Sequence, residues 1–336
     1  MNRKARLYRI LSILVLVLVL LGQTSCATAP SVASAGDRVS FADFPQGAEV
    51  FFYGDIQRSR SLIYELYRLG SAKILQRVPP KALGYVEEIY GAVYKEGSHQ
   101  RFFAQVSGRF PVIQTYLSLT FNPDWKNTQA GGRSYWRSKK DSLSLMITSH
   151  KVTITDGIPL EDKDVKASPE QGSFENAGPA ELQAPLVEDL IGSTFYLVFN
   201  SPESLAKAIM DGFGSLGAEF QIPLKQIILK IYPAAVSGSY VMQARFDTAS
   251  PVYGKALGAL LALASRVMQP IPQAIDHAEE PARSDQVFNH IGSLLLSERP
   301  TIEGSLVFLT SKPITEAELT LLLHRLLVYF EGTKLI

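Results

Sequence analysis

The sequence predicts an α+β chain of mostly antiparallel sheets, arranged as two similar halves in tandem. Three observations carry this. Apolar strand-like runs alternate with short turns. A stretch with helical apolar spacing follows the first strand-like run of each half. Five sequence blocks recur in the same order at offsets of about 140 to 150 residues.

The first half opens with Glu49-Val50-Phe51-Phe52-Tyr53-Gly54-Asp55, followed by Leu62, Ile63, Leu66 and Leu69 at helical spacing. The second opens with Thr194-Phe195-Tyr196-Leu197-Val198-Phe199-Asn200. Ser201-Pro202-Glu203 then supplies a cap and a first-turn proline, and Leu205, Ile209, Phe213 and Leu216 an apolar face. Ile89 to Val93 is echoed by Ile231 to Ala235, Phe102 to Val106 by Tyr240 to Ala244, Pro111-Val112 by Pro251-Val252, and Thr153 to Gly157 by Thr301 to Gly304. Strands are expected at about 48–55, 83–95 and 100–109, and again at 193–200, 224–236 and 239–248. The β-rich closing segments are 134–155 and 292–310, and Gly97-Ser98 and Ser237-Gly238 serve as hairpin turns. Each half thus reads β-α-β-β-α-β-β, an order that contains a ferredoxin-like split βαβ with helices on one face, and the repetition points to internal duplication. A last helix is announced by a capping box, Thr315 with Glu318, ahead of Leu319, Leu322, Leu323, Leu326 and Leu327.

The organisation expected is a signal segment 1–25, a tether 26–40 rich in small residues and proline, a first half 41–157, a proline-rich acidic linker 158–190, and a second half with its C-terminal helix, 191–336. Four bases, Arg3, Lys4, Arg6 and Arg9, precede the apolar run Ile10 to Leu21. Thr24 and Ser25 then lead to Cys26, the only cysteine. The run is shorter than the roughly 20 residues of a comfortable span and suits a signal h-region. With these residues the N-terminus resembles a bacterial lipoprotein signal whose lipobox is relaxed, Gln23 standing where an aliphatic is usual, as in spirochaete lipoproteins. That resemblance covers only the first 26 residues. It implies a Cys26 carrying diacylglycerol and acyl chains such as palmitate, and hence membrane attachment through lipid. Cleavage at Ala33-Ser34-Ala35 and an uncleaved anchoring helix are the alternatives. Ala27, in place of an aspartate, favours the outer membrane or periplasmic face of the cell envelope.

Charge and composition narrow the function. Without the four N-terminal bases, 29 basic residues face 32 acidic ones, a net charge of −3, which disfavours nucleic acid as a partner. Hydrophobic residues at 46% and charged residues at 19% suit a filled core, not disorder. Gly212 to Gly217 matches G-x-G-x-x-G but closes a helix where a nucleotide site needs one to open, so no cofactor is expected. The five histidines, His99, His150, His277, His290 and His324, form no local metal pair, and His277 stands in an acidic loop. No nucleophile elbow is present, so no enzyme is indicated, although triads assemble in space.

The candidate binding surface is Trp125, Lys126, Arg133, Tyr135, Trp136 and Arg137, where aromatics alternate with cations around Gly131-Gly132. Such a surface stacks on and neutralises a glycan or anionic envelope polymer. The plainer reading is an edge hairpin with buried aromatics and solvated bases. From Val252 to Met268, Gly254, Gly258, Ala262 and Ser265 form a small-residue face, expected to be buried between the halves or to line an apolar groove. Together these features predict a non-enzymatic binding or scaffold module with an envelope protein, glycan or lipid partner. A carrier or sensor of an apolar ligand between the halves is the alternative, and an envelope hydrolase stands further back.

Overall fold

The computed structural model describes residues 41, 44–45, 47–69, 83–96, 99–130, 132–140, 143–159, 190–200, 202, 222–267 and 284–332. Cys26 with the signal and tether, the glycines at 212–217, the helix expected after Pro202, His277 and nearly all of the linker lie outside them. The described residues fall into two compact units, one running to Ile191 and the other Gly192–Gly332. Both are α+β with antiparallel strands.

The first unit holds β1 (Val50–Asp55), α1 (Arg60–Leu69), β2 (Val86–Glu96), β3 (His99–Gly108), α2 (Val112–Phe121), β4 (Trp125–Ala130), β5 (Arg133–Ser138), β6 (Ser144–Ile147) and β7 (Lys151–Thr155). Their spatial order is β1-β2-β3-β7-β6-β5-β4. In a split βαβ the strands flanking the first helix do not pair directly. Here β1 and β2 flank α1 and are direct antiparallel partners, Phe51 opposite Ala92 and Tyr53 opposite Tyr90. The ferredoxin-like order is therefore replaced by a meander, because the alternating apolar residues of β1 match those of β2 in antiparallel register.

Cross-strand register sorts the side chains of this sheet into two faces. One carries Phe102, Ala104, Val106, Val152, Ile154 and Trp136, and Trp136 meets Tyr116 of α2 edge to face, at 6.0 Å between centroids. The other carries Phe51, Tyr90 and Phe103, covered by Phe41 and Phe44 in edge-to-face contacts of 5.0 to 5.2 Å. The Tyr94 hydroxyl donates to the Pro45 carbonyl at 2.7 Å and holds that cover down.

The second unit holds β8 (Phe195–Phe199), β9 (Leu224–Pro233), β10 (Ser239–Thr248), α3 (Pro251–Val267), α4 (Ser284–Leu295), β11 (Thr301–Glu303), β12 (Leu306–Thr310), β13 (Ile314–Thr315) and α5 (Glu316–Gly332). The order is β11-β12-β10-β9-β8, with β13 pairing the start of β10. Gly238, at φ 74°, makes the β9–β10 turn that the sequence suggested. The capping box forms as expected: the Thr315 N–H donates to Glu318 Oε2 at 2.7 Å and the Glu318 N–H to Thr315 Oγ1 at 3.2 Å.

Two expectations are corrected here. The closing segment 292–310 is not strand throughout, since α4 extends to Leu295 and strand begins only at Thr301; Ile291, Leu294 and Leu295 satisfy the helical period. The small-residue face of α3 is used inside its own unit. A side chain at Gly254 would press on the Gly304 carbonyl, and one at Gly258 would overlap Ile302. That face seats the β11–β12 turn and forms no groove there. Among the described residues no helix is long and apolar enough to cross a membrane.

Candidate functional site

The predicted binding residues come together on β4 and β5, at the edge of the first unit's sheet, but not as one surface. Successive side chains of a strand point to opposite faces, so residues that alternate in sequence are separated in space. Trp125 and Trp136 are 7% and 5% exposed, on the face that packs against α2. Tyr135 is 4% exposed on the other face, packed with Met146 and Ile158. Lys126, Arg133 and Arg137 are exposed. An exposed stacking platform of alternating aromatics and cations is thus replaced by buried aromatics and a cationic rim.

Of these cations, Arg137 lines an open pocket of about 490 Å3. From β5 come Tyr135 and Arg137, from β4 Thr128 and Gln129, from β3 Arg101, and from the end of β7 Asp156, Gly157 and Ile158. The pairing of Phe103 with Thr155 sets β3 beside β7 and brings Arg101 to Asp156. The Arg101 Nε lies 3.7 Å from Asp156 Oδ1, which also accepts the Phe102 N–H at 3.3 Å. Burial pushes the Asp156 carboxyl above its ordinary value, while the Arg101 guanidinium and the backbone hydrogen bonds pull it back. Gly157 lies beside them, and a Cβ there would make the guanidinium shift.

Arg101 and Asp156 were not singled out from the sequence. The signal available was Asp156-Gly157 closing a strand, where the matching block has Glu303-Gly304.

A second polar cluster lies on the same sheet face. Glu88 accepts hydrogen bonds from Tyr53 Oη at 2.9 Å, Tyr90 Oη at 3.3 Å and Ser107 Oγ at 3.4 Å. Burial and the neighbouring carboxylate raise both phenols above their ordinary value. They stay protonated donors, which makes this a structural clasp between β1, β2 and β3. Among the described residues no group of three or more His, Cys, Asp or Glu is placed to hold a metal.

No protein-family model and no curated protein matches this chain. It is similar to the solved structures of TP0453 in crystal form III, at 15% identity over 88% of this chain and 98% of that one, with a TM-score of 0.47. In crystal form IV the figures are 16%, 83% and 93%, again with a TM-score of 0.47. These overlaps carry no conclusion about activity.

Proposed function

We propose that this chain is a lipid-anchored binding module of the bacterial envelope, with two duplicated α+β units and no catalytic chemistry of its own. The observation that carries the binding role is the makeup of the first unit's pocket. It offers charge and hydrogen-bonding groups around an open space, and its one carboxylate, Asp156, is already paired with Arg101. The anchor rests on the N-terminal order of bases, apolar run and Cys26. Ala27 after Cys26, in place of an aspartate, favours the outer membrane or the periplasmic face, where tethering raises the effective concentration of a weakly binding module.

Duplication is supported by what the units share. Each opens with a three-strand meander, continues into a helix that starts at Pro111-Val112 or Pro251-Val252, and returns a strand to the third one, β7 to β3 and β12 to β10. Helices on a single sheet face belong to the same proposal.

Intact mass of the protein from its native membrane, beside Cys26→Ala, tests the anchor. The expected mass is that of the chain from Cys26 plus acyl groups, absent in the variant. An unmodified full-length chain, or a soluble chain without acyl groups, would overturn the lipid anchor.

A further inference from the structure

The pocket of the first unit carries more information than its volume. Lys126 and Arg137 are direct cross-strand partners, so their side chains share a face, and Arg137 lines the pocket. Like charges placed opposite one another disfavour the pairing unless something of opposite sign lies between them. Nothing described supplies it. Among the described residues Arg137 has no ion-pair partner, and the pocket's carboxylate is held by Arg101 at 3.7 Å. Ser144 stands opposite Arg137 on β6. It is 0% exposed, and its Oγ has no hydrogen-bond partner among the described residues. An orphaned buried hydroxyl and an uncompensated cation are thus neighbours on one sheet face. Thr128, Gln129 and Tyr135 line the pocket with hydrogen-bonding groups. Its 490 Å3 lies within the roughly 300–1,000 Å3 of small-molecule sites.

Resting on the binding reading above, we infer that this pocket receives an anionic sugar: a phosphate or carboxylate on a hydroxyl-rich body. Arg137 takes the anion through its planar fork, and Lys126 adds charge. The Arg101–Asp156 pair frames the far side. Thr128 and Tyr135 meet the hydroxyls.

The test titrates the full-length protein in neutral detergent with glucose 6-phosphate, glucuronate, inorganic phosphate and glucose. Calorimetry and the fluorescence of Trp125 and Trp136, which flank the two cations in sequence, give the readout. Saturable binding of the two anionic sugars is expected, weakening with salt and about tenfold or more weaker in Arg137→Ala. Arg137→Lys should retain part of it, and Lys225→Ala, in the second unit, should match the wild type. Arg137 is exposed, so an unchanged melting temperature separates lost binding from lost fold. Glucose binding as well as its phosphate would overturn the anionic ligand and leave the binding module standing. Silence from every sugar, wild-type affinity in Arg137→Ala, or a response confined to phosphatidylglycerol vesicles would overturn the sugar site, whatever the mass of Cys26 shows.

Discussion

β3 and β10 hold the same place in their units, each the third strand of a meander and each ten residues long. Yet β3 is buried on both faces from Phe102 to Ser107, whereas β10 alternates strictly, burying Tyr240, Met242, Ala244, Phe246 and Thr248 and leaving the residues between them half-exposed. The sequence match that aligns the strands also aligns Gln105 with Gln243. In the second unit, polar side chains on the half-exposed face satisfy each other: Gln243 Nε2 donates to Thr310 Oγ1 at 3.4 Å, Arg245 Nη2 to Gln226 Oε1 at 3.2 Å, and Gln226 Nε2 to Asn200 Oδ1 at 2.8 Å. In the first unit, both amide atoms of Gln105, Thr153 Oγ1 and Ser144 Oγ are buried without partners among the described residues. One architecture therefore serves two ends. Covered on both faces, the sheet keeps unmet hydrogen-bonding capacity inside. Left half-open, it pairs much of that capacity among its own side chains, although Arg245 Nε and Thr194 Oγ1 are still without partners among the described residues.

The contrast is broken most strongly at Phe103. Phe103→Ala removes a ring at 0% exposure beneath Phe44 and should cost about 3–5 kcal/mol in urea unfolding. Val241→Ala, its half-exposed counterpart, should cost markedly less. Equal losses would show that the two strands are equally buried in solution. Next in size, Gln105→Leu removes an orphaned buried amide and should raise stability by about 1 kcal/mol, while Gln243→Leu should not. If Gln105→Leu is destabilising, the amide has a partner.

The smallest effect is a pH dependence. Burial raises the folded pKa of Asp156 above its unfolded value, so protonation favours the folded state. Its contribution is fully present below the unfolded pKa and is lost as pH rises through the folded one. Asp156→Asn should remove that acid-side gain, so the wild-type and variant stability–pH curves should diverge across the carboxylate range and run parallel above it.

Local features were legible in the sequence. The opening strands, the 239–248 strand, the Ser237-Gly238 turn and the Thr315–Glu318 box are set by near neighbours and can be read from period and turn chemistry. Pairing order was not legible, because the register of β1 on β2 or β7 on β3 joins residues 33 to 52 positions apart. For the same reason Arg101 and Asp156 were invisible as a pair. At β4–β5 the plainer reading, an edge hairpin with buried aromatics and solvated bases, is the one the structure shows, because alternation along the chain is segregation across a strand. The Ile291 to Leu296 run keeps Ile291, Leu294 and Leu295 at helical spacing and closes α4 instead of opening a strand.

The meander of the first unit has a consequence for how the protein is made. The described pairings within that unit span no more than the 52 positions from Phe103 to Thr155, where β7 returns to β3, and all are complete once Thr155 has left the ribosome or a translocon. Sheets wound from sequence-near partners fold faster than those that wait for distant ones, and domains form as units in the order of synthesis. The amino-terminal sheet can therefore close, with its pocket in place, while Phe195 and everything after it are still emerging.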